Sequence, residues 1–219
     1  MARAFRREGA HLVAHLDEIE RSIVGELLGD VAALLDDGAA PQAGTGGGTG
    51  GGTDDDAVLR DLAADLAGPQ APGAPTDPAL HPLLPDAAPD DPQVQSEFRR
   101  FTEAGLRRTK RRHLRLAAGS LQGAPGPLRL DDDQAQAWMR ALTDVRLVLG
   151  ERLQLRTDAD AEALEDELDH LAAGDVRSQQ AALYDFLTWL QETLAGALLA
   201  EMDPAGREGA DDHGPGEGA

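Results

Sequence analysis

The pattern of apolar and polar positions predicts a mainly helical protein. In three long segments the apolar residues recur every three or four positions, as they do along one face of a helix packed on a core. These segments follow Asp17, follow Asp131 and run from Val176 to Met202. Both aspartates are predicted N-caps, since their side chains can accept hydrogen bonds from the first free amides of a helix. The helix carrying Trp138 is predicted to be central and to pack against the last helix.

Shorter patterns complete the predicted fold. Residues 3–15 alternate in polarity and predict a small β-hairpin. Acidic segments at 54–68 and 158–169 have thin apolar stripes and predict two short helices, and residues 78–84 predict one helical turn in a proline-rich stretch. The predicted fold class is therefore mainly α, a bundle of four to six helices with a small N-terminal hairpin and a disordered Gly-rich loop.

The chain is predicted to form a single domain interrupted by a tether. Residues 1–38 hold the hairpin and the first core helix, residues 39–53 form the tether, and residues 54–202 complete the same domain. The tether is rich in Gly and Thr and cannot bury enough surface to offset the entropy of ordering it. A phosphate-binding loop is not indicated, because the Gly-Lys-Ser/Thr ending of such loops is missing. Residues 203–219 are predicted to be a disordered tail.

A basic helix lies within an otherwise acidic chain. The net charge is −20, yet residues 92–121 contain eight basic and two acidic side chains, a local charge of +6. Asp91 and Pro92 mark the helix start. A helical wheel predicts that an apolar stripe packs on the core and that the arginines opposite remain exposed. The predicted stripe consists of Val94, Phe98, Phe101, Gly105, Thr109, His113 and Leu116.

The arginines of this helix are the candidate contact residues. Those predicted to bind a partner are Arg100, Arg107, Arg108, Arg111 and Arg115. The sequence leaves open an equally weighted alternative, in which acidic helices of the same chain neutralise the basic face. Net charge of −20 disfavours DNA as the partner, because most of the surface would repel phosphates. Direct DNA binding through this one helix therefore stays the alternative to an acidic protein partner.

Residue chemistry gives no sign of catalysis. The chain has no cysteine, which excludes disulfides and thiol chemistry. His11 and His15 are four residues apart, but their segment reads as a strand and no third ligand follows at a defined spacing. The aspartates at 131–133 and 158–160 suit helix caps better than a calcium loop. We therefore predict no catalytic residue, no metal site and no cofactor. The absence of a signal peptide and of a long apolar segment predicts a cytoplasmic protein without membrane attachment.

Several segments resemble the AosR-like family of actinobacteria. The specific pieces are the LPDA-x3-D turn before the basic helix, the W-x3-L-x-D-x-R helix that contains Trp138, Leu142, Asp144 and Arg146, and the LTWLQE segment around Trp189. The resemblance covers nearly the whole chain except the tether and the tail. It implies an intracellular and non-enzymatic protein.

The same resemblance implies a role in regulating transcription under oxidative stress through a sigma factor or RNA polymerase. Genes of this family commonly lie beside the gene of the Clp protease adaptor ClpS, so a partner in Clp-type proteolysis is another alternative. A cysteine-pair switch is attached to the family, and this sequence departs from it because it has no cysteine. No catalytic or ligand residue can be transferred. A homodimer through the helices of Trp138 and Trp189 is a further expectation for the partner.

Overall fold

The structure is a computed structural model. It describes residues 2–36, 75, 77–85, 91–123, 126–168, 170–171 and 174–200. The predicted tether at 39–53, the predicted acidic helix at 54–68 and the predicted tail at 203–219 lie outside these residues. Pro92 and Arg100 are described only as positions in a helix.

The described part of the chain is mainly α-helical, as the sequence predicted. Its elements in chain order are β1 (Arg3–Glu8), β2 (His11–His15), α1 (Glu18–Asp36), a 3-10 turn (Pro78–Leu80), α2 (Pro92–Leu121), β3 (Leu128–Leu130), α3 (Asp132–Leu153), α4 (Asp158–Leu168) and α5 (Val176–Leu199). The short turn lies within the predicted 78–84 segment, and α2 is the basic helix. No helix of the described part is both long enough and apolar enough to cross a membrane.

The predicted helix starts are confirmed by their caps. Asp17 Oδ1 accepts a hydrogen bond from the Glu20 amide at 3.0 Å, and Glu20 Oε2 accepts one from the Asp17 amide at 2.8 Å. The same reciprocal pattern joins Asp131 and Gln134 at the start of α3. Asp91 accepts from two amides of the first turn of α2. Each of these caps satisfies amides that have no partner inside the helix.

The N-terminal hairpin is confirmed, and it forms part of a three-stranded sheet. β1 and β2 pair antiparallel, and β3 adds a third antiparallel strand with Leu12 opposite Leu130 and Ala14 opposite Leu128. Gly9 at the turn has a φ of +63°, a conformation that glycine adopts without steric cost. β3 was not predicted, because its three residues are too few for a period-two pattern to be recognised.

The core forms around α3, which contacts α1, α2 and α5. Trp138 is fully buried, its ring meets Phe5 edge-on at 6.1 Å between centroids, and its indole N–H donates to Ser120 Oγ at 2.8 Å. The predicted packing of α5 on α3 is confirmed, with Leu187, Leu190 and Leu194 in the same core cluster. Among the described residues, α2 packs on the body through one side, from Glu103 to Leu121.

Candidate interaction surface

The orientation of α2 differs from the predicted one. The positions that face the body are Glu103, Arg107, Lys110, Leu114, Ala117 and Leu121. Phe98 is 43% exposed and Phe101 is 71% exposed, and of the predicted stripe only His113 is buried. The prediction that this stripe packs on the core is therefore wrong. The N-terminal part of the inner side consists of Glu103, Arg107 and Lys110, whose ion pairs a helical wheel assigns to solvent.

Arg107 is part of the interior. Its Nε and Nη2 atoms both lie 2.8 Å from Oε1 of Glu103, and the two side chains are only 5% and 4% exposed. Its Nη1 donates to the carbonyl oxygen of Leu35 at 2.9 Å, in the last turn of α1, where helix carbonyls have no intrahelical partner. Arg107 therefore joins α2 to α1 and does not belong to the contact surface that the sequence suggested.

A second buried ion pair joins α2 to α3. Lys110 Nζ lies 2.5 Å from Oδ1 of Asp144, which is 3% exposed. Burial raises the pKa of Asp144 above its ordinary value, and the hydrogen bond and charge of Lys110 oppose that rise. From the sequence, Asp144 is recognisable only as a motif position. Its contact with Lys110, the single lysine of the chain, is revealed only by the folded structure.

His113 is the third polar contact on the inner side of α2. Its Nε2 lies 3.2 Å from Nη1 of Arg140 in α3. A guanidinium group can only donate, so Nε2 accepts and the imidazole is neutral. Burial, and then the charge of Arg140, lowers the pKa of His113. The contact therefore requires a deprotonated histidine.

Asp36, the last residue of α1, neutralises part of the basic face. It forms an ion pair with Arg111 and accepts a longer contact of 3.4 Å from Nη2 of Arg115. The Arg115 side chain is still 66% exposed. Arg111 is thus committed to an internal partner, whereas Arg115 remains largely available. Intramolecular neutralisation, the alternative left open by the sequence, accounts for Arg107 and Arg111.

Three further basic residues of α2 form an exposed arginine face, defined here as Arg108, Arg112 and Arg115. Arg108 and Arg112 are exposed and make no hydrogen bond or ion pair within the described part of the chain. Together with Arg111 and Leu116, these three residues line an open groove of about 350 Å³. Arg112 was absent from the predicted set, although its position four residues after Arg108 could have indicated it. Arg100 lies in α2, and its side chain is outside the described part.

Metal-binding side chains are scattered among the described residues. The described residues contain no cluster of three or more His, Asp or Glu side chains that could hold a metal ion. His11 and His15 occupy the two ends of β2, where four steps along the strand separate them by about 13 Å. The candidate surface that remains is the arginine face of α2.

Comparison with known proteins identifies the family. A family model described as a domain of unknown function, DUF2017, matches residues 2–198, nearly the full length of the chain. The chain belongs to the DUF2017 family. It is also 31% identical, over 139 residues, to a candidate oxidative stress regulator, AosR, of Mycobacterium leprae (strain TN). The match covers 58% of this chain and 60% of that relative, so the chain spans about three-fifths of the relative's length. No solved structure matches.

The structure gives the motif residues of this DUF2017 protein a role. Arg146 of the W-x3-L-x-D-x-R helix donates to Oε1 of Gln191, in the LTWLQE segment, at 2.9 Å. Its guanidinium carbon also lies 5.2 Å from the centre of the Tyr184 ring. Two motifs that are distant in sequence therefore meet between α3 and α5. These contacts join α3 to α5.

Proposed function

We propose that this protein is a non-enzymatic regulator of transcription under oxidative stress. It acts by binding a protein partner, a sigma factor or RNA polymerase, through the exposed arginine face of α2. The regulatory part of the proposal is supported by the name of the Mycobacterium leprae relative. The choice of surface is supported by the ion pairs described above.

One observation carries the choice of surface. Arg108 and Arg112 lie one turn apart on the same side of α2, exposed and without a counter-ion in the described part. Like charges at this spacing destabilise a helix by about 0.2–0.5 kcal/mol. A chain of net charge −20 has many carboxylates that could pair with them, yet α2 uses Glu103, Asp36 and Asp144 for other cations. An acidic surface on another molecule would relieve the repulsion.

The test uses two double charge reversals that change the net charge equally. Arg108→Glu/Arg112→Glu alters the arginine face, and Arg3→Glu/Arg129→Glu alters exposed residues of the N-terminal sheet. Circular dichroism checks that each variant is folded. The affinity of each variant for purified actinobacterial RNA polymerase and for isolated stress sigma factors is then measured. We expect the first variant to lose at least tenfold in affinity and the second to bind as the unaltered protein does. Equal binding by both variants, or no binding by the unaltered protein, would overturn the proposal.

A further inference from the structure

The exposed side of α2 has a regular spacing that continues beyond the arginine face. Positions separated alternately by four and three residues form one line along the helix, here called the α2 seam: Val94, Phe98, Phe101, Gly105, Arg108, Arg112, Arg115 and Gly119. Seven of these eight residues are exposed, and Gly105 is half-buried. This is the heptad spacing by which helices pack side by side. The inner side of α2 uses the same spacing, from Glu103 to Leu121, to pack on the body.

The two halves of the α2 seam differ in chemistry. The N-terminal half presents apolar side chains, with Phe101 71% exposed, and the C-terminal half presents arginines. Gly105 lies between the halves, and a Cβ placed on it would meet nothing within 4 Å. Glycine lowers the helix propensity of this position, and no packing within the described residues requires it. A close approach by another backbone would give it a use.

We propose that the α2 seam binds an acidic amphipathic helix of a partner protein, aligned antiparallel to α2. The proposal rests on the proposed function, since it names the kind of element on the partner that α2 would recognise. Apolar residues of the partner would lie against Val94, Phe98 and Phe101, and its carboxylates against Arg108, Arg112 and Arg115. In the antiparallel alignment those carboxylates fall in the N-terminal half of the partner helix, where the helix dipole favours negative charge.

Charge and apolarity together select this occupant. A second copy of the chain would set arginines against arginines in a parallel pair, and against apolar residues in an antiparallel pair, leaving charge uncompensated in both. Duplex DNA would match the arginines but would leave the Phe98 and Phe101 side chains in water. An acidic helix with an apolar stripe would match both halves of the seam, since its carboxylates would pair with the arginines and its apolar side chains would pack against the apolar half. Amphipathic helices commonly bind protein grooves in this way.

The experiment uses the full chain and synthetic helical peptides. The first peptide spans 26 residues. It has Glu at the seam-facing positions of its N-terminal half and Leu at the seam-facing positions of its C-terminal half. The second has the same composition with these residues moved to the opposite side of the helix. We expect the first peptide to bind at least tenfold more tightly than the second. Equal binding would reduce the interaction to net charge and overturn the proposal.

Variants separate the two halves of the seam. Arg108→Glu/Arg112→Glu and, independently, Phe98→Gln/Phe101→Gln should each weaken binding of the first peptide at least tenfold, whereas Arg3→Glu/Arg129→Glu should not. Gly105→Leu should also weaken it, and because leucine favours a helix more than glycine does, that loss cannot come from unwinding of α2. Full binding by Phe98→Gln/Phe101→Gln would show that the apolar half takes no part, against the proposal.

Other occupants of the seam appear as distinct results. Tighter binding of duplex DNA than of the first peptide would assign the seam to nucleic acid. Self-association abolished by Phe98→Gln/Phe101→Gln would assign it to a second copy, and displacement of the first peptide by a peptide of residues 53–68, which are themselves acidic and leucine-containing, would assign it to this chain. Each of these overturns the proposal. Polymerase or sigma-factor binding that needs Arg108 and Arg112 but not Phe98 and Phe101 would retain the proposed function alone.

Discussion

Lys110 Nζ and Asp144 Oδ1 lie 2.5 Å apart at the contact between α2 and α3. Lys110 is the single lysine of the chain, and Asp144 is almost completely buried. A buried carboxylate loses its hydration. The free-energy cost of this desolvation is offset only where a cation and hydrogen bonds replace the water. The pair therefore fixes the position of α2 on the body, and with it the direction in which the exposed arginine face points.

Removing the cation should destabilise the fold strongly. We expect Lys110→Met to lower the free energy of unfolding by about 3 kcal/mol, because it leaves the Asp144 carboxylate buried without a counter-charge. Urea unfolding followed by circular dichroism measures the change. The control is Arg112→Met on the same helix, which removes an exposed cation and should alter stability by less than about 0.5 kcal/mol.

The double variant Lys110→Met/Asp144→Leu distinguishes a charge effect from lost packing. Replacing both members of a buried ion pair by apolar residues is often neutral, so most of the stability lost in Lys110→Met should return. If the double variant is as unstable as the single one, the aliphatic part of Lys110, and not its charge, is what the interface needs.

The same substitution should destabilise the protein strongly at Arg107 and hardly at all at its neighbour Arg108. Arg107→Met leaves Glu103 buried and unpaired and frees the Leu35 carbonyl, and we expect a loss of about 3–5 kcal/mol. Arg108→Met removes an exposed cation and should stay within about 0.5 kcal/mol of the unaltered protein. Thermal or urea unfolding measures both. Similar losses in the two variants would contradict the burial of Arg107.

The predictable parts of this fold are those with local signals. The aspartate caps at Asp17, Asp91 and Asp131 were visible because capping depends on residues only three positions apart. The packing of the Trp138 helix on α5 followed from long leucine-rich patterns. β3 was missed because three residues carry no period, and its pairing with β2 depends on contacts more than a hundred residues away.

The orientation of α2 could not be predicted from its own sequence. Its inner side contains Glu103, Arg107 and Lys110, which a wheel places in solvent unless their partners are known. Those partners lie on α1 and α3, or one turn along α2, so only the folded structure brings them together. The candidate site changed for this reason: Arg107 and Arg111 became internal, and Arg112 joined Arg108 and Arg115.

His113 should make stability depend on pH. Its folded-state pKa is lowered, so below about pH 6.5 the unfolded chain binds a proton that the folded chain resists. Stability should therefore fall as the pH drops from about 7 to about 5.5, and His113→Gln should flatten that fall. Urea midpoints at the two pH values give the measurement.

The charged groups around His113 define the control. Arg140, Arg112 and Lys110 lower its pKa, and Asp144 raises it. Asp144 has the opposite effect on the pH dependence of stability. Its pKa is raised in the folded state, so the folded protein binds a proton more readily than the unfolded chain and gains stability as the pH falls. Arg140→Gln should reduce the pH dependence without removing it. An unchanged slope in His113→Gln would mean that other groups set the acid sensitivity.

Gln154, at the end of α3, offers a stabilising substitution. Its φ of 63° and ψ of 30° place it in the left-handed region, which costs a residue with a Cβ about 1–2 kcal/mol and costs glycine little. Its amide donates to the carbonyl oxygen of Glu151 at 3.1 Å, and the next amide donates to that of Gly150 at 2.8 Å, so the turn that ends the helix is well formed. We expect Gln154→Gly to raise the free energy of unfolding by about 0.5–1 kcal/mol, after the larger entropy of glycine in the unfolded chain is counted. Gln154→Ala keeps the Cβ and should give no gain. A glycine variant no more stable than the alanine variant would show that this position is not strained in solution.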